Sequence, residues 1–252
     1  MREERKETKN KKEIIVEKQE REKGQERLRE EHPELIPVDP KVYDSLKKGS
    51  RNIKIEFQKA YPGIKWSVRS ESYANGCSID IRWTDGPTAE QVEKISGKYQ
   101  EGHFDGMIDC YEYNKDDIWT DLYGGAKYVQ ASRSYSAEAW KWAAKKIQSE
   151  WGTKEIKLTA SENYYYINQG DDFMVENANN EWASRLVNQA LHERDFTKTD
   201  EEIEAEEAEE ERKFEEEFRA SEERRIKVIE EALEKERKIQ TRPSSGWSEV
   251  SY

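Results

Sequence analysis

Residues 66–91 read WSVRSESYANGCSIDIRWTDGPTAEQ, and this stretch decides the fold. An Asn-Gly pair at 75–76 separates two runs in which apolar and polar side chains alternate, which is a strong hairpin signal. In the second run, residues 77–83, the apolar side chains share one face, and Asp80 and Arg82 lie on the other. The stretch therefore predicts a β-hairpin with one apolar and one polar face.

A helix follows the hairpin directly. The segment Thr88-Ala-Glu-Gln91 matches a capping box, in which the threonine caps the helix and the glutamine reaches back. Periodic apolar positions predict further helices from Pro40, from Ser136 and over 177–194, and paired strands are expected at 106–113 with 126–133. This order predicts an α+β fold, an antiparallel or mixed sheet with helices packed on one face, flanked by charged helical arms.

The composition changes along the 252 residues, and the changes predict four parts. Seven of the eight tryptophans lie in the middle of the chain, whereas the ends are rich in charge. We expect a charged N-terminal arm, helical or disordered, at 1–35 and an α+β globular domain at 36–196. A long charged helix at 197–241 and a disordered tail at 242–252 follow. No apolar run is long enough to span a bilayer, so we expect a soluble intracellular protein without membrane contact.

The expected C-terminal helix carries most of the excess negative charge. Residues 200–223 hold 14 acidic and 3 basic side chains. From Glu209 onward, several acidic residues stand four positions before a basic one, which favours a helix. A thin apolar stripe runs along one face, at Phe214, Phe218, Ile226, Ile229 and Leu233. Two interpretations remain, a solvated single helix and a coiled coil that self-associates through residues 200–240.

The polar face of the predicted hairpin is the first candidate site. If helices cover only the apolar face, the polar face is open to a partner. Candidate binding residues on this surface are Arg69, Asp80, Arg82, Lys127 and Arg133. The partner would be another protein, or nucleic acid bound by the core domain alone.

Clustered aspartates form the second candidate site. Carboxylates are the ligands that hard cations prefer, and the candidate metal ligands are Asp80, Asp85, Asp105 and Asp109. The alternative is that Asp85-Gly86-Pro87 serves a turn. The three histidines are scattered without metal-ligand spacing, and no cofactor is expected. Cys77 and Cys110 each fall on the apolar side of a predicted strand, which favours buried thiols.

The core resembles a known family. The segments YPGIKWSVRSESY, GCSIDIRWTDGPTAEQVEKI, KYQEGHFDGMIDCYEY and YGGAKYV are similar to the large polyvalent protein-associated domain, family 29, over about residues 45–150. This resemblance implies a protein of a phage, plasmid or related mobile element, acting against host defence or in the establishment of incoming DNA. It also implies a place in the cytoplasm of a bacterial host cell and a host or phage protein as the partner. The family has no established catalytic residues to carry over.

Together these features favour a non-enzymatic interaction module of a phage or other mobile genetic element. Two alternatives stay open. One is a metal-assisted hydrolase that uses the clustered aspartates, and the other is a nucleic-acid-binding core domain with an acidic, competing tail.

Overall fold

The computed structural model describes residues 2–42, 44–107, 109–114, 117–161 and 165–240. The chain divides into two compact units, Met1–Thr197 and Lys198–Tyr252. The tail at 242–252, expected to be disordered, lies outside the described residues. Among the described residues, no helix is both long enough and apolar enough to cross a membrane.

Helices and strands alternate along the first unit, and one long helix occupies the second. The helices are α1 (Arg2–Glu31), α2 (Ser45–Ala60), α3 (Ala89–Ser96), α4 (Ile118–Tyr123), α5 (Ala137–Trp151), α6 (Ala183–Glu193) and α7 (Asp200–Gln240). The strands are β1 (Ser67–Tyr73), β2 (Gly76–Thr84), β3 (Gly102–Asp105), β4 (Cys110–Tyr113), β5 (Tyr128–Ser134), β6 (Thr159–Ala160), β7 (Tyr165–Tyr166), β8 (Met174–Val175) and β9 (Glu181–Trp182).

The central sheet has three strands in the order β1-β2-β5. The predicted hairpin is present, since β1 and β2 pair antiparallel with Ser67 opposite Arg82, and Asn75 takes a positive φ of 69° in the turn. Strand β5 lies on the other side of β2 and runs parallel to it, with Ser78 beside Tyr128. The predicted α+β class with a mixed sheet is therefore confirmed.

The expected pairing of residues 106–113 with 126–133 is wrong. Strand β4 instead forms a small hairpin with β3, and β5 joins the central sheet beside β2. A parallel neighbour leaves no turn signal between the paired segments, so the local pattern could not identify the partner of β5.

The main core lies on one face of the central sheet. Helices α2, α3 and α4 pack there, with Phe57 stacked on Trp66 at 4.3 Å between ring centroids and Trp83 beside Trp66 at 5.5 Å. Ile79 and Ile81 of β2 are fully buried beneath them. Each such side chain stabilises the fold by about 1.5–3 kcal/mol relative to exposure.

Helix α2 is held to its neighbours by a buried amide. Asn52 is completely buried, accepts the Ile36 amide at 2.8 Å and donates to the carbonyl oxygens of Ile36 and Tyr123 at 2.9 and 2.8 Å. The hydroxyl of Tyr123 in turn donates to the Leu28 carbonyl in α1 at 2.8 Å. The end of α1 is thereby joined to the main core.

The helix caps follow the sequence at two of three positions. Thr88 and Gln91 form the predicted capping box of α3, and Ser136 caps α5 by accepting the Ala139 amide at 3.2 Å. Helix α2 was expected from Pro40, but it begins at Ser45, because Asp39 accepts the Lys41 amide in a separate turn.

A second core cluster closes the end of the first unit. Helices α5 and α6 bury Ala143, Ile147, Val187 and Leu191 against one another and against the short strands β8 and β9. The last helix was expected over 177–194 and begins later, at Ala183, because Glu176–Ala178 form a short 3₁₀ turn before it.

Candidate functional site

In the described part of the chain, one face of the three-stranded central sheet has no helix packed on it. Register across the strands places three rows on it, which are Ser67-Arg82-Ser132, Arg69-Asp80-Gln130 and Glu71-Ser78-Tyr128. The packed helices contact the opposite face, which carries the isoleucines of β2. We call this surface, defined by the three rows, the open sheet face.

Three of the five predicted binding residues lie together on the open sheet face. Arg69 and Arg82 are exposed, and Asp80 between them is half-buried. Asp80 lies opposite Arg69 across β1 and β2, and its carboxylate accepts the Ser78 hydroxyl at 3.4 Å. These charged groups are accessible without movement of the backbone.

Lys127 comes just before β5 and belongs to none of the three rows; its amide donates to the sulfur of Cys77, which packs against the main core. Its ammonium group donates to the Asn75 carbonyl at 3.3 Å and lies 4.8 and 5.5 Å from the ring centroids of Tyr111 and Tyr128. Tyr111 also packs edge-on against Tyr113 and Tyr128, at 4.9 and 5.4 Å. We call Tyr111, Tyr113 and Tyr128 the tyrosine cluster.

The placement of Arg133 on the open sheet face is wrong. Arg133 is paired with Trp83 and so lies on the helix-covered face of the sheet. Its guanidinium donates to five backbone carbonyls, those of Asp85, Gly86, Leu191, His192 and Arg194, at 2.7–3.3 Å. Strand alternation inverts the face with each residue, and the register of β5 could not be read without its partner. Arg133 therefore fastens the end of α6 to the turn after β2.

The predicted metal ligands are held by separate local structures. Asp85 has a positive φ of 54° and accepts the Ser136 amide at 2.9 Å, which is the turn role considered as the alternative. Asp105 accepts the Met107 amide at 2.8 Å in the β3–β4 hairpin, and Asp109 takes a φ of 52° there. Within the described part of the chain, no three His, Cys, Asp or Glu side chains are arranged to hold a metal ion. Metal binding by Asp80, Asp85, Asp105 and Asp109 stays a prediction.

The two cysteines differ in their surroundings. Cys77 is half-buried against the main core, and its sulfur accepts the Lys127 amide at 3.4 Å. Cys110 is exposed at the start of β4, so the expectation of a buried thiol is wrong at that position. The β3–β4 hairpin lies outside the central sheet and buries less of its surface than a central strand does.

A cleft around Glu101 was not anticipated from the sequence. Two cavities of about 380 and 410 Å³ share Ser45, Glu101 and Tyr113 in their walls. Burial raises the pKa of the Glu101 carboxyl, and the negative charge of Asp117 raises it further. Raised carboxyl pKa values in clefts are frequent at functional sites, but structural networks also produce them. Glu101 carries no sequence signal, because its burial depends on α2 and on the segment at Gly125 and Lys127, which are distant in the chain.

The comparisons with known proteins agree with the resemblance read from the core. Residues 44–136 match the family model described as large polyvalent protein associated domain 29. No curated protein and no solved structure matches the chain. The matched segment runs from the residue before α2 to the N-cap of α5 and contains the whole central sheet. Residues 44–136, and with them the whole central sheet, are therefore similar to the large polyvalent protein associated domain 29.

Proposed function

We propose that this chain is a non-enzymatic interaction module of a phage or other mobile genetic element, and that it binds a protein through the open sheet face and the tyrosine cluster. The observation that carries the proposal is the uncovered face of the central sheet inside the family domain. Its task would be to act against host defence or to assist the establishment of incoming DNA, in the cytoplasm of a bacterial cell.

The open sheet face has the composition of a recognition surface. Two exposed arginines, Arg69 and Arg82, lie among short hydroxyl and amide side chains that both donate and accept hydrogen bonds. Arginine is enriched at protein interfaces and among the residues that dominate binding energy. A sheet with an ordered backbone positions these groups without an entropic cost of folding on binding.

The tyrosine cluster supplies apolar area beside the charged rows. The side chain of Tyr113 is 61% exposed, and the neighbouring Phe104 of β3 is 54% exposed. Burial raises the pKa of Tyr111 to about 12, so its hydroxyl stays protonated and donates to the Lys127 carbonyl. Tyrosines fixed in this way offer large contact area with little side-chain entropy to lose.

The charge balance favours a protein partner over nucleic acid. Arg69 and Arg82 on the open sheet face are offset by Glu71 and Asp80, and the whole chain carries a formal charge of −12. A surface that binds a phosphate backbone needs clear positive excess. A balanced pattern of both signs instead suits recognition of a complementary protein surface.

The test is capture of partners from bacterial lysate by the full chain, with and without nuclease treatment. The Arg69→Ala, Arg82→Ala double variant should lose the captured protein, because it removes both exposed cations of the face. Its melting temperature should stay close to that of the wild type, since exposed substitutions usually change stability by less than ~0.5 kcal/mol.

The matched control removes two cations from the exposed side of α2, in an Arg51→Ala, Lys54→Ala variant that should still capture the partner. Equal loss of binding by both double variants would refute docking at the open sheet face. Capture that disappears with nuclease and weakens steeply with salt would instead support the nucleic-acid alternative.

A further inference from the structure

We infer that two copies of this chain associate through α7, with the two helices antiparallel. The inference concerns the second unit alone and goes beyond the proposed docking function of the open sheet face. It depends on two properties of α7 that occur together, an exposed apolar stripe and an uneven distribution of charge along the helix axis.

The apolar stripe lies on an otherwise charged helix. Phe214, Phe218, Ile226 and Ile229 occupy positions that recur on one side at 3.6 residues per turn, and each is 50–69% exposed. The rings of Phe214 and Phe218 stack on each other with their centroids 6.4 Å apart, but this leaves their outer surfaces in water. Isolated apolar side chains are normal on surfaces, whereas two pairs of exposed apolar side chains on one side of a helix favour an interaction site.

Ion pairs within the helix do not account for the stripe. Lys213 contacts Glu209 at 2.6 Å and Arg219 contacts Glu215 at 3.1 Å, each four residues apart. Such pairs stabilise a single helix by about 0.2–0.5 kcal/mol each. These ion pairs do not explain why two phenylalanines and two isoleucines are exposed on one side of α7.

The charge distribution selects the direction of pairing. Residues 207–223 contain nine acidic and three basic side chains, whereas residues 224–240 contain six basic and four acidic. Two parallel helices would place one acidic segment against the other, which opposes association. Two antiparallel helices place the acidic segment of each copy along the basic segment of its partner, which favours association.

One antiparallel register satisfies both properties. With the two-fold axis between residues 223 and 224, Phe218 of one copy lies opposite Ile229 of the other. Glu222 then lies opposite Arg225, and the symmetry of the pair creates this contact twice. Positions 222 and 225 fall on the same side of the helix as the stripe. The two ion pairs therefore lie between the two Phe218–Ile229 contacts.

The primary test is sedimentation equilibrium of the full chain over a range of concentrations at low and high salt. We expect a reversible dimer of about twice 29.8 kDa that weakens as salt rises. Phe218→Glu should weaken the dimer by about 100-fold, because it introduces a charge into both halves of the apolar contact. The control Ala220→Glu, on the opposite side of the helix, should leave the dissociation constant unchanged within a few-fold.

The direction of pairing is tested by charge exchange. Glu222→Arg and Arg225→Glu should each weaken the dimer, because each opposes like charges across the axis, and the double variant should restore it. Circular dichroism of each variant shows whether α7 stays helical. A monomer at all concentrations, a dimer that tightens with salt, indifference to Phe218→Glu, or a double variant that fails to recover would each overturn the inference.

Discussion

Replacement of Arg133 by alanine should destabilise the first unit far more than an ordinary arginine substitution on a strand. The guanidinium uses all five of its N–H groups on five backbone carbonyls, two from the turn after β2 and three from the end of α6. Its plane also lies 5.1 Å from the ring centroid of Tyr135 and 5.3 Å from that of Phe196.

The size of the effect follows from these contacts. Five hydrogen bonds at a net ~1 kcal/mol each give an upper value of about 5 kcal/mol. Burial lowers the pKa of Arg133, which shows that the charged group is partly desolvated and reduces the net gain. Water can reach some of the carbonyls once the side chain is removed. We therefore expect Arg133→Ala to lower the free energy of unfolding by about 3 kcal/mol.

Chemical denaturation of the full chain measures this loss, and for a unit of this size the melting temperature should fall by roughly 10 °C. Arg133→Lys should recover only part of the stability, because an ammonium group has three donors and no planar fork. Arg82→Ala is the matched control and should cost less than ~0.5 kcal/mol, since Arg82 lies in β2 one residue before Trp83, the partner of Arg133, and on the opposite face of the sheet.

Hydrogen exchange locates the change. Loss of Arg133 should raise exchange at the end of α6 before it affects the amides of β1 and β2. A loss in Arg133→Ala no larger than that in Arg82→Ala would refute the reasoning, because it would mean that the five carbonyls are as well satisfied by water.

Two further predictions concern buried polar groups. Asn52→Ala should lower the free energy of unfolding by about 3 kcal/mol, because it leaves three backbone groups without their partner, two of them partly buried and one fully buried. Asn114→Ala, whose amide makes one exposed hydrogen bond, should cost under ~1 kcal/mol in the same denaturation assay. Equal losses in the two variants would contradict the bridging role of Asn52. Glu101→Gln should be more stable than the wild type at neutral pH, because folding raises the pKa of the Glu101 carboxyl. The wild type therefore loses stability as the pH rises from the unfolded-state pKa of 4.5 through the higher folded-state pKa. The difference between the two proteins should vanish below about pH 4, where both states of the wild type are protonated, and a difference that is constant with pH would exclude this cause.

Local features of the first unit could be predicted because their signals are local. The β1–β2 hairpin follows from Asn75-Gly76 between alternating runs, and the caps at Thr88 and Ser136 follow from side chains within one helical turn. The polar face with Arg69 and Arg82 follows from the same alternation. Each of these inferences needed no knowledge of distant residues.

Features that depend on distant contacts could not be predicted. The partner of β5 is chosen by packing, so the side of the sheet on which Arg133 lies was open until the register was known. The burial of Glu101 arises where α2 and Lys127 approach it from separate parts of the chain. Cys110 was expected to be buried but is exposed, because a strand that joins no larger sheet leaves its apolar side in water.

The parallel pairing of β2 with β5 has a consequence for how the chain folds during synthesis. The β1–β2 hairpin and α2 are complete long before Tyr128, which pairs with Ser78, leaves the ribosome. Until then one edge of β2 has unpaired backbone groups, and unpaired strand edges invite association with other chains. Closing so long a loop is slow compared with hairpin formation. The interval between synthesis of β2 and arrival of β5 is therefore the period in which a nascent chain is most exposed to mispairing.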